Sequence, residues 1–267
     1  MPMIQIAGVT KTFPGRQGSP DLLVIDGFTL DVPRGEFLSI VGPSGCGKST
    51  ILMLIAGLVA PDSGSLTIDG QSPAEARVAR KFGIVFQDPV LFGWRTIREN
   101  VELPGEVLRD AAIRKRAREA LVLVGLDGFQ DAYPHELSGG MRSRAAIARA
   151  LALHPQILLM DEPFADLDEL TRCRLNLEVL RIRKQTNATV VFVTHSVQEA
   201  AFLSDRVIVV TGRPASVVAE LRINLEEPRT LAMMDSLPFL QTVAALRGHL
   251  NSPLANSPAA TLKEAPE

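Results

Sequence analysis

Apolar residues in this chain follow two different periods, and the switch between them divides it. Near the N-terminus they form short β-rich runs, and Ile4 to Val9, Phe28 to Val32 and Phe37 to Val41 predict strands. The third run opens straight into a glycine-rich turn and an apolar stretch, Thr50 to Leu58, that predicts a helix. Ser65 to Ile68, closed by Asp69-Gly70, and Gly83 to Phe86 predict two further strands. From about Asp88 to Leu153 the apolar positions recur at helical spacing instead. Val107, Leu108, Ala111 and Ala112, followed by Ala120, Leu121 and Val124, are expected on one broad side with arginines on the other, as an inserted helical subdomain. The chain then alternates again: strand Ile157 to Met160, helix Leu167 to Arg183, strand Thr189 to Val193, helix Ser196 to Leu203 and strand Val207 to Val210. Alternation of this kind predicts parallel strands buried on both faces, with their carboxyl ends along one edge where ligands bind.

One turn between a strand and a helix carries specific chemistry. Gly42-Pro43-Ser44-Gly45-Cys46-Gly47-Lys48-Ser49-Thr50 fits the phosphate-loop pattern G-x-x-x-x-G-K-[ST] in its required context. The glycines let backbone N–H groups turn inward around phosphate oxygens, and the helix N-terminus adds a favourable dipole. Lys48 supplies a point charge for the β- and γ-phosphates, and Ser49 a hydroxyl for Mg²⁺. The buried run Ile157 to Met160 ends in Asp161-Glu162-Pro163, so two carboxylates stand at a strand end. Asp161 is placed to hold Mg²⁺ through its water shell, and Glu162 to polarise an attacking water. His195 follows the strand Thr189 to Val193 on the same sheet edge, and the topology therefore brings it toward the phosphates. Gln87 likewise ends an apolar run. These residues define a nucleoside triphosphatase without saying which kind.

Leu137-Ser138-Gly139-Gly140-Met141 narrows the kind. It precedes the helical run Arg142 to Leu153, so Ser138 is expected as an N-cap, with two glycines exposing N–H groups at the positive end of the dipole. That makes a second phosphate site on the same chain. The helical lobe separates it from the first, so one nucleotide is hard to reach from both within one molecule, and a second copy would supply the missing half.

In these motifs, from about residue 4 to 220, the chain resembles the ATP-binding subunits of ABC transporters. The resemblance implies an α/β P-loop NTPase fold with a mixed sheet core, an N-terminal antiparallel β portion and an inserted helical subdomain at about 88–153. Residues 1–220 would form the ATPase domain, 221–250 a C-terminal extension, and 251–267 a disordered tail, in keeping with its unpatterned Asn, Ser, Pro, Ala and Glu. By the same resemblance Phe13 stacks on adenine, and Gln87 links Mg²⁺ and the γ-phosphate to a membrane subunit. His195 contacts the γ-phosphate, and Asp168 sits in a dimer-facing loop. The segment Leu137 to Met141 of one protomer closes on the ATP held by the other. Phe92-Gly93-Trp94-Arg95-Thr96-Ile97, together with Gly212-Arg213-Pro214 and Pro228-Arg229, is similar to importer ATPases for nitrate, sulfonate and taurine. Trp94 is then expected to be exposed at the permease contact. The chain departs from the family at Met141 and Ser143, and at Asp166, an extra carboxylate expected to weaken dimer closure.

Composition narrows the setting. With 267 residues, 28 basic against 30 acidic and a net charge of −2, there is no overall basic field to attract nucleic acid. The longest apolar or small run, Ile51 to Ala60, falls well short of the roughly 20 residues a spanning helix needs. The first residues lack a secretory pattern and there are only two cysteines, so a reduced, cytoplasmic setting is expected; the resemblance implies a place at the inner face of the membrane alongside permease subunits and, indirectly, a solute-binding protein. Cys46 reads as a small filler in the phosphate loop, with one alternative: a helix N-terminus lowering its thiol pKa and making ATP binding sensitive to oxidation. Arg114-Lys115-Arg116, with Arg109 and Arg118, reads as a solvated helix face. Two rivals are a P-loop kinase or GTPase, which leaves the Ser-Gly-Gly segment unexplained, and a non-transport ABC ATPase, which would carry a coiled-coil insertion or a second cassette.

Overall fold

The structure, a computed structural model, describes residues 2–15 and 19–251. In chain order the first half contains β1 (Ile4–Phe13), β2 (Leu22–Val32), β3 (Phe37–Val41), α1 (Lys48–Ile55), β4 (Ser63–Ile68), α2 (Pro73–Val78), β5 (Phe82–Val85), α3 (Ile97–Val107) and α4 (Ala111–Leu123). The second half contains α5 (Gly139–Leu151), β6 (Ile157–Asp161), α6 (Glu169–Thr186), β7 (Thr189–Thr194), α7 (Val197–Leu203), β8 (Arg206–Thr211), β9 (Ser216–Arg222) and α8 (Leu237–Asn251).

Two sheets result. A three-stranded antiparallel sheet runs in the order β2-β1-β4, and a six-stranded sheet runs β5-β6-β7-β3-β8-β9. The first five strands of the larger sheet are parallel and β9 pairs antiparallel with β8, which makes the core sheet mixed. The expected fold class is met.

The parallel strands read as unbroken apolar runs because both faces are covered. Side chains alternate between two cores with the period of two that a strand imposes. Phe37, Val41, Leu158, Met160, Val190 and Phe192 face the core shared with α5 and α6, whereas Leu38, Ile40, Leu159, Val191 and Val193 face the core shared with α1 and the antiparallel sheet. Each fully buried Leu, Ile or Phe contributes about 1.5–3 kcal/mol by leaving water, and this two-sided burial holds the strand ends of the site rigid.

The helical insert differs from the pattern read off the sequence. Residues 88–96 are a loop, and helix begins only at Ile97, where Thr96 and Glu99 form a capping box. Val107 is 71% exposed, and Leu108, Ala111 and Ala112 are exposed as well. The chain reverses between α3 and α4 through Arg109 at φ 53° and restarts at the N-cap Asp110, so each helix sets its own buried face. Those faces are Ile97 and Val101 on α3, and Ile113, Ala117, Ala120 and Leu121 on α4. Of the basic residues expected on a solvated face, Arg109, Arg114, Lys115 and Arg118 lie there, with Arg118 bonded to Glu102 at 2.7 Å, whereas Arg116 is half-buried and donates to the Ala152 carbonyl at 3.1 Å.

Past 220, α8 packs Phe239, Val243 and Leu246 into the main core beside α7. Of the expected tail, Asn251 closes α8 and 252–267 lies outside the described residues. Among the described residues no helix is long and apolar enough to cross a membrane.

Candidate active site

Register assembles the site. Val85 lies opposite Met160, Asp161 opposite Val193, and Val41 opposite Thr194, so the carboxyl ends of β5, β6, β7 and β3 reach one edge together. Gln87, the Asp161-Glu162 pair, His195 and the loop 42–47 leave these ends and share a cleft of about 430 Å³ or its margin. Phe13, Ser44, Lys48, Gln87 and Glu162 line it, with Gly45, Gly47, Ser49 and Thr50.

Gly47 is the N-cap of α1 at φ 106°, a backbone conformation that L side chains rarely adopt, and an added Cβ would meet Val24 at 3.1 Å and Ile25 at 3.2 Å. Lys48 is only 3% exposed and its Nζ donates to the carbonyls of Gly42 at 2.9 Å and Pro43 at 3.0 Å, so these two loop residues hold the lysine. Glu162 Oε1 stands 3.5 Å from that ammonium. Ser49 Oγ donates to Asp161 Oδ1 at 3.0 Å. Burial pushes the Asp161 carboxyl above its ordinary value, while the Ser49 hydroxyl and Lys48 pull it back. A cation beside these oxygens would relieve that burial, and a hydroxyl, a carboxylate and the amide of Gln87 are the hard oxygen donors that Mg²⁺ takes. Among the described residues no group of three or more His, Cys, Asp or Glu could hold a metal by itself.

Glu162 adopts φ 44°, a strained backbone for a residue with a side chain, pinned by its N–H to the Val193 carbonyl at 2.9 Å. Its Oε2 lies 2.6 Å from His195 Nδ1. A carboxylate is therefore held between the Lys48 ammonium and the His195 ring at the mouth of the loop 42–47.

Ser138 is the N-cap of α5, accepting the Met141 N–H at 3.3 Å, and Gly139 and Gly140 form the first turn. Gly140 is a close-approach position, where a Cβ would fall 2.6 Å from Thr171 Cγ2. Leu137, Ser138, Gly139, Gly140 and Met141 contribute nothing to the cleft around Lys48; Ser138, Gly140 and Met141 line a separate depression of about 500 Å³ with Thr171 and Arg174. Asp168 is exposed and caps α6, accepting the Thr171 N–H at 3.0 Å, and that bond holds its carboxyl below the usual carboxylate range. Asp166 is exposed nearby. Ser143 is buried and donates to the Pro163 carbonyl at 3.2 Å, which gives this departure from the family pattern a role in packing.

One finding supports the sequence reading and one adds to it. Cys46 is buried, and its burial pushes the thiol up despite the helix N-terminus and Lys48, so it has little thiolate to oxidise and acts as the filler. Arg213, read from sequence only as part of a subgroup motif, lines the nucleotide cleft and donates through Nε to the Gly45 carbonyl at 3.0 Å, with Nη2 on the same oxygen. Its position between β8 and β9 at the shared sheet edge is the signal that pointed to it. Trp94 is 74% exposed, its ring tilted against Phe92 with centroids 4.9 Å apart.

A family model described as ABC transporter matches residues 25–165. An uncharacterized ABC transporter ATP-binding protein of Methanocaldococcus jannaschii is 46% identical over 243 residues, covering 90% of this chain and 89% of that protein. A nitrate import ATP-binding protein of Synechocystis sp. is 43% identical over 225 residues, covering 83% of each. Among solved structures, the dimeric post-hydrolysis state of the ATP-binding cassette MJ0796 with ADP and Pi is similar with TM-score 0.73 and 34% identity, over 84% of this chain and 100% of that one.

Proposed function

We propose, from the premise that the chain belongs to the ABC transporter family and is one of its ATP-hydrolysing subunits, that it works as a homodimer driving an importer of a small solute such as nitrate, a sulfonate or taurine. The observation that carries the dimer is the separation of its two phosphate sites: the cleft around Lys48 and the Ser138 N-cap share no lining residue.

In this reading ATP lies along Gly42 to Thr50, with Phe13 against adenine and Lys48 on the β- and γ-phosphates. Ser49, Asp161 and Gln87 would hold Mg²⁺, which when bound neutralises charge on the phosphates. Ser138 to Gly140 of a second copy cover the γ-phosphate with N–H donors, and Asp168 lies in the loop facing that copy. Glu162 orients a water and takes its proton as the oxygen attacks phosphorus in line with the departing ADP oxygen. His195, held against Glu162, keeps that carboxylate aimed and helps stabilise charge on the transferred phosphoryl group. Residues 1–220 carry this machinery and 221–250 extend it. The exposed Trp94 is the contact offered to a separate permease at the cytoplasmic face of the membrane, with a solute-binding protein beyond it.

Phosphate release measured across protein concentration tests the two-body site. Specific activity is expected to fall on dilution below the dimerisation range; a flat profile overturns the reading.

A further inference from the structure

Glu199 is a buried carboxylate to which the site above gives no task. It sits in the first turn of α7, 6% exposed, and accepts a hydrogen bond from the Thr194 hydroxyl. Thr194 Oγ1 in turn accepts the Ser196 N–H at 2.9 Å, and Ser196 Oγ accepts the Glu199 N–H at 3.3 Å. Residues on both sides of His195 are thus tied to Glu199, Thr194 through its carboxylate and Ser196 through its backbone N–H. Burial raises the Glu199 carboxyl, with Thr194 and Arg172 pulling it back.

Its other oxygen faces Arg172. Arg172 lies in the first turn of α6, and its Nη2 donates to the Leu167 carbonyl at 2.7 Å, just before Asp168. Arg172 Nη1 is 3.5 Å from Glu169. Arg172 Nε is buried and makes no hydrogen bond among the described residues, standing 3.7 Å from Glu199 Oε1. A charge-assisted bond of about 2.8 Å is therefore roughly 1 Å short of forming. Glu162, Ala165, Arg172, His195 and Glu199 bound one enclosed space.

We propose that Arg172 and Glu199 are a positioning couple that makes His195 respond to dimer closure: seating the loop 165–168 against a second copy carries Arg172 onto Glu199 and locks the turn bearing His195 against Glu162. This rests on the trans-dimer reading above. An open couple lets the His195 turn relax, and a closed one fixes it only when both lids are in place, so hydrolysis waits for the dimer.

The test uses the full chain at concentrations that saturate dimerisation, with wild type, Arg172→Met, Arg172→Lys, Glu199→Gln and the double variant Arg172→Met/Glu199→Gln. Glu199→Gln keeps an acceptor for Thr194 while removing the charge that draws Arg172. We expect kcat to drop about 10- to 100-fold in Arg172→Met and Glu199→Gln, as for a catalytic group misplaced by about an ångström. The KM for ATP should stay within about three-fold, Arg172→Lys should recover part of the rate, and the double variant should be no slower than the slower single. Should Glu199→Gln fail to fold, the Arg172→Met loss and Arg172→Lys recovery decide alone. Wild-type rates in the folded single variants, losses that multiply in the double, or KM rising in step with the lost rate would each overturn the couple. A wild type with no ATPase activity, or an active Glu162→Gln, would instead sink the functional reading beneath it.

Discussion

Replacing Glu162 by glutamine separates binding from chemistry. The amide is nearly isosteric, keeps an oxygen that can accept from His195 Nδ1 at the present 2.6 Å, and should tolerate the φ 44° backbone as the carboxylate does. What it removes is the proton acceptor. A positioned base contributes roughly 10²–10⁴ to rate, so kcat should fall by that factor, about 3–5 kcal/mol of transition-state stabilisation at 1.36 kcal/mol per decade. ATP affinity should move the other way. The carboxylate stands 3.5 Å from Lys48 Nζ, where it competes with phosphate for that ammonium, and neutralising it leaves the lysine to the nucleotide. The variant should therefore bind ATP at least as tightly as wild type and accumulate as a dimer with unhydrolysed ATP. Phosphate release at saturating ATP, equilibrium nucleotide titration and size-exclusion chromatography with ATP and Mg²⁺ read the three quantities. A kcat within ten-fold of wild type, or weaker ATP binding, would refute the assignment of Glu162 as base.

Three further outcomes are expected. Ser138→Arg should abolish hydrolysis while leaving nucleotide binding by the dilute monomer intact, since Ser138 lines no part of the cleft around Lys48; lost monomer binding would contradict a lid in trans. Arg213→Ala removes the donors on the Gly45 carbonyl and a cation from the cleft. At this exposed position the loss is about 1 kcal/mol, a roughly five-fold rise in KM for ATP with kcat little changed, and an unmoved KM would count against it. Asp168→Ala should lower the thermal midpoint at neutral pH, because a folded-state carboxyl held below its unfolded value stabilises above that value. The difference from wild type should shrink as pH falls below about 3.8 and through the depressed folded value. A gap that stays constant into acid would assign the effect to something other than the charge on the cap.

The five parallel strands of the main sheet were legible because burial on both faces leaves continuous apolar runs, and their parallel order followed from the alternation with helices, whereas the half-exposed antiparallel edge strand β9 was missed. What escaped was short or half-exposed. The N-terminal part of β2 is broken by Asp26-Gly27 and its register against β1 is irregular. The helix α2 spans only Pro73–Val78, and its true marker was the Ser72–Glu75 capping box with proline at its start. The same chemistry, Thr96 with Glu99, marked the start of α3 more sharply than the apolar pattern did. The face of the helical insert was misjudged because one period was carried across a chain reversal.

The two candidate phosphate sites were legible for a local reason: each is a helix N-terminus with glycines, and a few consecutive residues specify it. What joins them to the sheet is not local. Arg213 meets Gly45 across 168 residues. Ser143, on the helix that Ser138 caps, bonds the carbonyl of Pro163 directly after Glu162. Two turns on, Arg149 of the same helix donates to Pro89 at 2.8 Å and Val90 at 2.7 Å, just past Gln87. The helix that Ser138 caps is thus fastened to both loops that follow β5 and β6 and carry Gln87 and Glu162. In the proposed dimer, a nucleotide that draws that N-terminus would pull on these loops through two side chains. Arg149→Ala should then lower phosphate release by the concentrated dimer while nucleotide titration of the dilute monomer stays unchanged, and wild-type turnover would refute the tie.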